Sequence, residues 1–434
     1  MSLIRASGGS LVWQIVGFLA MALSGMLTAR HLGPADRGLL AAAYLYPQLA
    51  TSLGSLSLGA AIFHHLGQRK FSLEEFSGTC AMAAAGLGLA VLGLCLAVLR
   101  FGGEALHTGV PWHILLLVLM PLPCLFTLGF FSSLLRGAMD IRSYNLVNHG
   151  GKLLSLAVVL GLLAAGRLRV WELVIGGAIL TVATGMAPVW RMRQHAPGAW
   201  RIRWGLLRDL LRSGLRLHAG SVAVFFSGRA NLLLANFYLS KAEVGYLYVA
   251  VTLGELIWFV SIAAETVLYP QLTRMTESDA AVLTARVCRQ ILLLSMLGGL
   301  ALGLLAPVVI RFYGGRAFLP AVTPLRVLVP GIAALTVSKI LSALWVRKGW
   351  FAMLTMLAGS TGAFSVVLNL ILIPRLGTAG AALATALPYL ANAAVSILIY
   401  RRWVSPDVAA LWHVRWSDVV RLSRSLTGRV TDPA

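Results

Sequence analysis

Between residues 10 and 400 the chain is a succession of twelve apolar stretches, each long enough to cross a lipid bilayer as a helix. A hydrocarbon core roughly 30 Å thick is spanned by about 20 helical residues, and every backbone polar group inside it must find its partner within the protein. The stretches run over 10–29, 38–61, 77–99, 112–135, 144–165, 171–190, 216–239, 245–268, 290–310, 322–346, 351–373 and 378–400. With 58% hydrophobic and 12% charged residues, the chain lacks the polar surface that a soluble fold of 434 residues requires. The expected fold is all-α and polytopic, and its function lies in or across a membrane.

The charged residues supply an orientation. An even number of spans puts both termini on one side, and with the N-terminus inside, 23 Lys and Arg fall in cytoplasmic segments against 9 outside. That bias predicts cytoplasmic termini. The net charge of +21 is then mostly this asymmetry plus attraction to anionic headgroups, and no nucleic-acid partner is expected. The first apolar run has no convincing cleavage site, so no removable signal peptide is expected. Cys80, Cys95, Cys124 and Cys288 lie among apolar residues or near span ends without metal-like spacing, which reads as core cysteines and no metal site.

The longest polar break falls mid-chain and separates six spans from six. The expected organisation is a bundle over 1–190, a linker over 191–215, a second bundle over 216–402 and a basic tail over 403–434. Trp204, Leu207, Leu211 and Leu215 share one helical face, with Arg208 and Arg212 elsewhere, a pattern suited to an interfacial helix. Trp412, Trp416 and Val420 repeat it among the arginines of the tail. The halves also resemble each other. Shifted by 207 residues, HLGPADRGLL at 31–40 falls on YLSKAEVGYL at 238–247, so that Gly38 meets Gly245 and Asp36 meets Glu243. Two six-helix units with the same starting sense imply parallel repeats. Prolines 47, 121, 123, 188, 307, 330 and 388 interrupt or end spans, as ordinary packing features or as bends a moving bundle would use.

Enzymatic chemistry is hard to find. Gly150-Gly151-Lys152 lacks the rest of a phosphate-binding loop, and there is no His-Glu-x-x-His, Gly-x-Ser-x-Gly or Asp-x-Asp. The outer loops are too short for a catalytic domain. No enzyme activity and no cofactor are expected; transport is.

Ionisable groups at mid-span are costly and tend to face a wet cavity. Arg229 lies deep in the seventh span and Glu255 deep in the eighth, at equal distances from the turn near Ala242, so an antiparallel hairpin brings them to one depth. The pair is either a structural bridge or a switchable group whose arginine can turn to an anion. Lys152, Lys339 and Arg326 add positive charge, and Glu265 adds a second carboxylate. Arg229, Lys339, Lys152 and Arg326 are thus candidates to line a cationic substrate cavity, and Glu255 and Glu265 are candidates for ion pairing or coupling. Snorkelling competes as an explanation for Lys152 and Arg326.

Three stretches carry a family resemblance: ARHLGPADRGLLAAAYL at 29–45, AEVGYLYVAVTLGELIW at 242–258, and LVPGIAALTVSKILSALWVRKG at 328–349 continuing to NLILIPRLGTAGAALATALPYL at 369–390. Together they resemble the polysaccharide transporter, O-antigen flippase-like branch of the multidrug/oligosaccharidyl-lipid/polysaccharide (MOP) superfamily. The resemblance implies twelve helices in two pseudo-symmetric six-helix bundles forming a V. It also implies alternating access and a polyprenyl-pyrophosphate-linked oligosaccharide crossing the bacterial inner membrane. The implied partners are that lipid-linked substrate, the bilayer, a coupling ion (H+ or Na+) and other polysaccharide-assembly membrane proteins. Lipid II flippases commonly carry two further helices, and multidrug extruders an acidic residue in the first span, where residues 10–29 hold none. A membrane glycan polymerase or ligase is the alternative from another class.

Overall fold

The computed structural model describes residues 2–68, 70–102, 109–273 and 275–411. Most of the basic tail expected over 403–434, with its Trp412 and Trp416, lies outside the described residues. Among the described residues, thirteen α-helices follow one another: α1 Ser2–Gly54, α2 Leu58–Gly67, α3 Leu73–Phe101, α4 Trp112–Leu119, α5 Leu122–Gly137, α6 Ile141–Ala164, α7 Val170–His195, α8 Trp204–Tyr238, α9 Lys241–Gly254, α10 Trp258–Leu272, α11 Glu277–Gly314, α12 Val322–Arg347 and α13 Phe351–Trp403.

Among the described residues, nine helical segments are long and apolar enough to cross a membrane. Two of them are double. α1 is broken at Gly33 (φ 75°, ψ 179°) and α13 at Gly377 (φ 58°, ψ −133°), left-handed positions that a residue without Cβ adopts at little cost. The fold-back of α13 is fixed by its own contacts. The Ser365 hydroxyl donates to the Ala384 carbonyl at 3.2 Å, Asn392 donates to the Thr361 hydroxyl at 2.7 Å, and a methyl group on Gly380 would stand 2.1 Å from the Leu372 carbonyl oxygen. All three contacts are centred close to Leu376, as an antiparallel hairpin requires. The seventh span lies within α8, which is not among the nine. Nine segments, two of them hairpins, together with α8 account for twelve spans.

The chain divides into two compact units. The first holds Met1–Phe225, Leu239–Gly245 and Phe312–Phe318; the second holds Phe226–Tyr238, Tyr246–Arg311 and Leu319–Ala434. In the first, Phe76, Phe131, Leu58, Leu115, Leu122 and Leu134 form a fully buried centre to which α2, α3, α4 and α5 all contribute. The amphipathic stretch after residue 203 is helical, but it is the first part of α8 and runs directly into the span. Leu206 and Leu210 are fully buried in the first unit's core, Leu207 and Leu211 pack at its edge, and Trp204 and Leu215 are exposed. A pattern read as a lipid-facing stripe is therefore split between protein core and surface. The same part of α8 is tied to the break between α1 and α2, where Leu56 and Ser57 adopt positive φ (48° and 52°). There the Ser57 hydroxyl donates to Ser221 at 2.8 Å, and His65 meets Ser213 at 2.8 Å. At the start of α6, Asp140 accepts the Ser143 backbone N–H at 3.0 Å and pairs with His195 at 2.7 Å. Burial pushes the Asp140 carboxyl up, but the bonds from Ser143 and His195 outweigh it and leave it below the usual aspartate value.

Within the first unit, the two turns aligned by the 207-residue shift touch each other reciprocally. A methyl group on Gly38 would stand 1.7 Å from the Lys241 carbonyl oxygen, and one on Gly245 would stand 2.1 Å from the Pro34 carbonyl oxygen. Pro34 and Lys241 are themselves equivalent under the shift. Each turn therefore makes the same contact with the other, which is the signature of a two-fold relation between the two segments. The 240s turn is further held by a capping box, in which Ser240 N–H donates to Glu243 at 3.0 Å and Glu243 N–H donates to the Ser240 hydroxyl at 3.3 Å.

In the second unit, Leu268, Leu272, Ile340, Leu341, Leu344, Trp345 and Tyr400 are buried together with Cys288, joining α10, α11, α12 and α13. Small residues bring α12 and α13 close: a methyl group on Gly331 would stand 2.5 Å from the Ala386 Cα. Arg347 closes one end, donating to the carbonyls of Leu272 at 2.6 Å and Met275 at 2.7 Å.

Candidate functional site

Arg229 stands on the part of α8 that belongs to the second unit. Glu255 opens a single 3-10 turn, Glu255–Ile257, that interrupts the helix between α9 and α10. Tightening at mid-helix places residues three apart over one another, so Glu255 and Trp258 share a face. The Arg229 Nη1 donates to the Glu255 Oε1 at 2.9 Å, and 34% and 30% of the two side chains remain exposed. That exposure decides what the pair can do. A sealed pair would lock the hairpin, whereas a part-open one can exchange partners.

The surroundings of the pair are aromatic and cationic. The Trp258 indole N–H donates to the Ile332 carbonyl at 3.1 Å, and its ring tilts against Tyr389 with centroids 5.8 Å apart. The Lys339 Nζ stands 4.7 Å from the Trp258 ring centroid, a cation–π contact. Tyr389 is buried, and its hydroxyl donates to the Ser227 carbonyl at 3.4 Å, two residues before Arg229. Lys339 lies near enough to Glu265 to act on its charge.

Of the six ionisable residues singled out in the sequence, the fold brings Arg229 and Glu255 into contact, sets Lys339 beside them on the Trp258 ring, and leaves Glu265 within electrostatic reach of Lys339. The other two stand apart from that cluster. Arg326 is exposed on α12 and donates through Nε to the Gly303 carbonyl at 2.9 Å. Lys152 belongs to the first unit, where it and His149 lie against Gly17. Trp258 and Tyr389 were not anticipated as part of the site. Their visible signals were the three-residue spacing of Trp258 from Glu255 and the position of Tyr389 beside Pro388.

The guanidinium carries five N–H donors in a planar fork, and one of them is given to Glu255. The remaining donors match the oxygens of a phosphate, which Arg grips through paired bonds as a lysine ammonium does not. Chemically the site can hold an anion in place of, or beside, the Glu255 carboxylate.

Residues 5–276 match the family described as polysaccharide biosynthesis protein. The chain belongs to this family. No curated protein matches the chain. Among solved structures, the chain is similar to the lipid II flippase MurJ in an inward closed conformation, at 13% identity and TM-score 0.78, covering 97% of this chain and 94% of that one. An inward-facing multidrug resistance MATE family transporter of the MOP superfamily aligns at 14% identity and TM-score 0.70, covering 91% and 95%. A MOP superfamily transporter from Pyrococcus furiosus aligns at 17% identity and TM-score 0.61, covering 94% and 95%. The fold of this polysaccharide biosynthesis protein is therefore that of the MOP transporters, over nearly its whole length.

Proposed function

We propose that this protein is an alternating-access flippase that carries a polyprenyl-pyrophosphate-linked oligosaccharide from the cytoplasmic to the outer leaflet for surface polysaccharide assembly. The observation that carries this reading is the part-open Arg229–Glu255 pair in a chain of the polysaccharide biosynthesis family. A pyrophosphate leaving water needs a positive partner at mid-membrane, and Arg229 offers one that is neutralised by Glu255 when the substrate is absent. The prenyl tail stays in the bilayer while the headgroup crosses.

Depletion of the protein in its host, followed by mass spectrometry of polyprenyl-linked glycans, tests the substrate. Lipid-linked repeat units should accumulate on the cytoplasmic leaflet while surface polysaccharide falls. Accumulation of lipid II instead would reassign the substrate, and unchanged surface glycan without a compensating transporter would overturn the reading.

The proposed setting is the bacterial inner membrane with both termini in the cytoplasm, as the charge bias favours. Exposed positions make this testable with the four native cysteines replaced. Arg167→Cys, in the turn between α6 and α7, should react with a membrane-impermeant thiol reagent in intact cells. Ala199→Cys, in the link between α7 and α8, should react only after permeabilisation. The opposite pattern would invert the topology.

A further inference from the structure

The last turns of α1 carry polar groups inside a span, and nothing in the fold uses them. Gln48, Ser52 and Ser55 recur at helical spacing along one face. Ser55 keeps the register through its N–H bond to the Thr51 carbonyl at 3.0 Å. Among the described residues, none of these three side chains has a hydrogen-bond partner in the protein. The Thr51 hydroxyl on the same face donates to the Pro47 carbonyl at 2.7 Å, so toward a ligand it can only accept. All four line a cavity of about 420 Å³ in the first unit. Its apolar wall comes from Phe126 and Phe130 on α5, set edge to face with centroids 6.0 Å apart, and from the half-buried Phe225 on α8. Gly129 leaves room beside them, since a methyl group there would meet no atom within 4 Å.

Amide and hydroxyl groups within a span are costly unless water or a ligand satisfies them. The two walls define what that ligand is. Among the described residues no charged side chain lines the cavity, so a phosphate or carboxylate would find no compensation there. A wholly apolar guest would leave the α1 groups unsatisfied. What matches both walls is a neutral ring with O–H groups on its rim and C–H groups on its faces, because the negative face of an aromatic ring attracts weakly positive hydrogens. The volume falls within the roughly 300–1,000 Å³ typical of small-molecule pockets. We propose that this cavity is a sugar subsite, holding one uncharged pyranose of the transported glycan through the Gln48 amide and the Ser52 and Ser55 hydroxyls. The proposal rests on the flippase reading, to which it adds a contact for the glycan where Arg229 supplies one for the pyrophosphate.

Saturation-transfer-difference NMR on the purified full-length protein, in a detergent without a sugar headgroup, tests binding independently of transport. The probes are the methyl pyranosides of glucose, galactose, mannose and N-acetylglucosamine, with methyl glucuronide as the charged comparison. At least one neutral glycoside should bind saturably, and the glucuronide should not compete. Gln48→Ala should raise the half-saturating concentration about fivefold, as expected for loss of one uncharged hydrogen bond. Gly129→Met, which fills the open space and favours the helix, should abolish binding and cut surface polysaccharide about tenfold at normal protein abundance. Arg100→Gln, an exposed arginine outside the cavity, should change neither. Should one cavity variant fail to fold, the other decides. The proposal is overturned if no neutral glycoside binds, if binding is indifferent to both cavity variants, or if the glucuronide is preferred. Absent binding, with lipid-linked repeat units still accumulating on depletion, would remove the subsite and leave the flippase standing. Binding that Gly129→Met abolishes without any loss of export would mean that the cavity takes a free sugar, and would overturn its assignment to the transported glycan.

Discussion

Arg229→Ala is expected to abolish glycan export while the protein's abundance in the membrane stays normal, and neutralising Glu255 as well should not restore export. The argument rests on which partner Arg229 serves. The pair is close, at 2.9 Å, yet about a third of each side chain is exposed. A carboxylate left without its partner at that depth neutralises rather than staying charged, so the fold should survive the loss of Arg229. A charge-assisted bond to phosphate is worth about 1.5–3 kcal/mol, which corresponds to roughly 10- to 100-fold in substrate affinity or rate. If Arg229 only bridges the hairpin, the double variant Arg229→Gln/Glu255→Gln keeps both side chains hydrogen-bonded and should transport normally. If it grips the headgroup, that variant is as inactive as Arg229→Ala. Lys339→Gln should show a smaller defect, because Lys339 is committed to the Trp258 ring and an ammonium offers no planar fork. Complementation of a transport-null strain, with protein levels measured in parallel, separates the cases; full rescue by the Gln/Gln pair would make Arg229 a structural residue.

The features legible in the sequence were those that a single helix imposes on its own residues. Span positions follow from apolar length alone, and the breaks at Gly33 and Gly377 fall where the intervals between apolar stretches placed them. The approach of Arg229 to Glu255 could be anticipated because equal offsets from a turn mean equal depth in an antiparallel pair. What the sequence concealed depends on the direction a side chain takes once helices pack. Arg326 and Lys339 sit on the same helix, yet one is exposed and bonded to α11 while the other stands over Trp258. Hydropathy treats them alike. Arg37 counted in the sequence as a loop charge that helped fix orientation, yet it lines a cavity between α1, α6 and α7. Leu206 and Leu210 were missed for a related reason: an amphipathic face does not say whether lipid or protein will cover it.

Gly38→Ala and Gly245→Ala are each expected to destabilise the protein, and the double variant should cost clearly less than the sum of the two. Each methyl group would collide with a backbone carbonyl, at 1.7 Å from Lys241 and 2.1 Å from Pro34, so no side-chain rotation can relieve either clash. The turns must separate. Overpacking of this kind costs about 1–3 kcal/mol. Once one methyl has forced the segments apart, the second finds the space already open, because the two contacts are reciprocal and lie on the same interface. Neighbouring substitutions that relieve one strain are non-additive by about 0.5–3 kcal/mol. Thermal unfolding of the two single variants and the double variant measures this coupling directly. Strictly additive losses would mean that the two glycines sit in separate contacts, and the local two-fold relation between the 30s and 240s turns would then be wrong. Coupled losses would support one shared contact, made by two equivalent turns and kept open to close approach by a glycine in each.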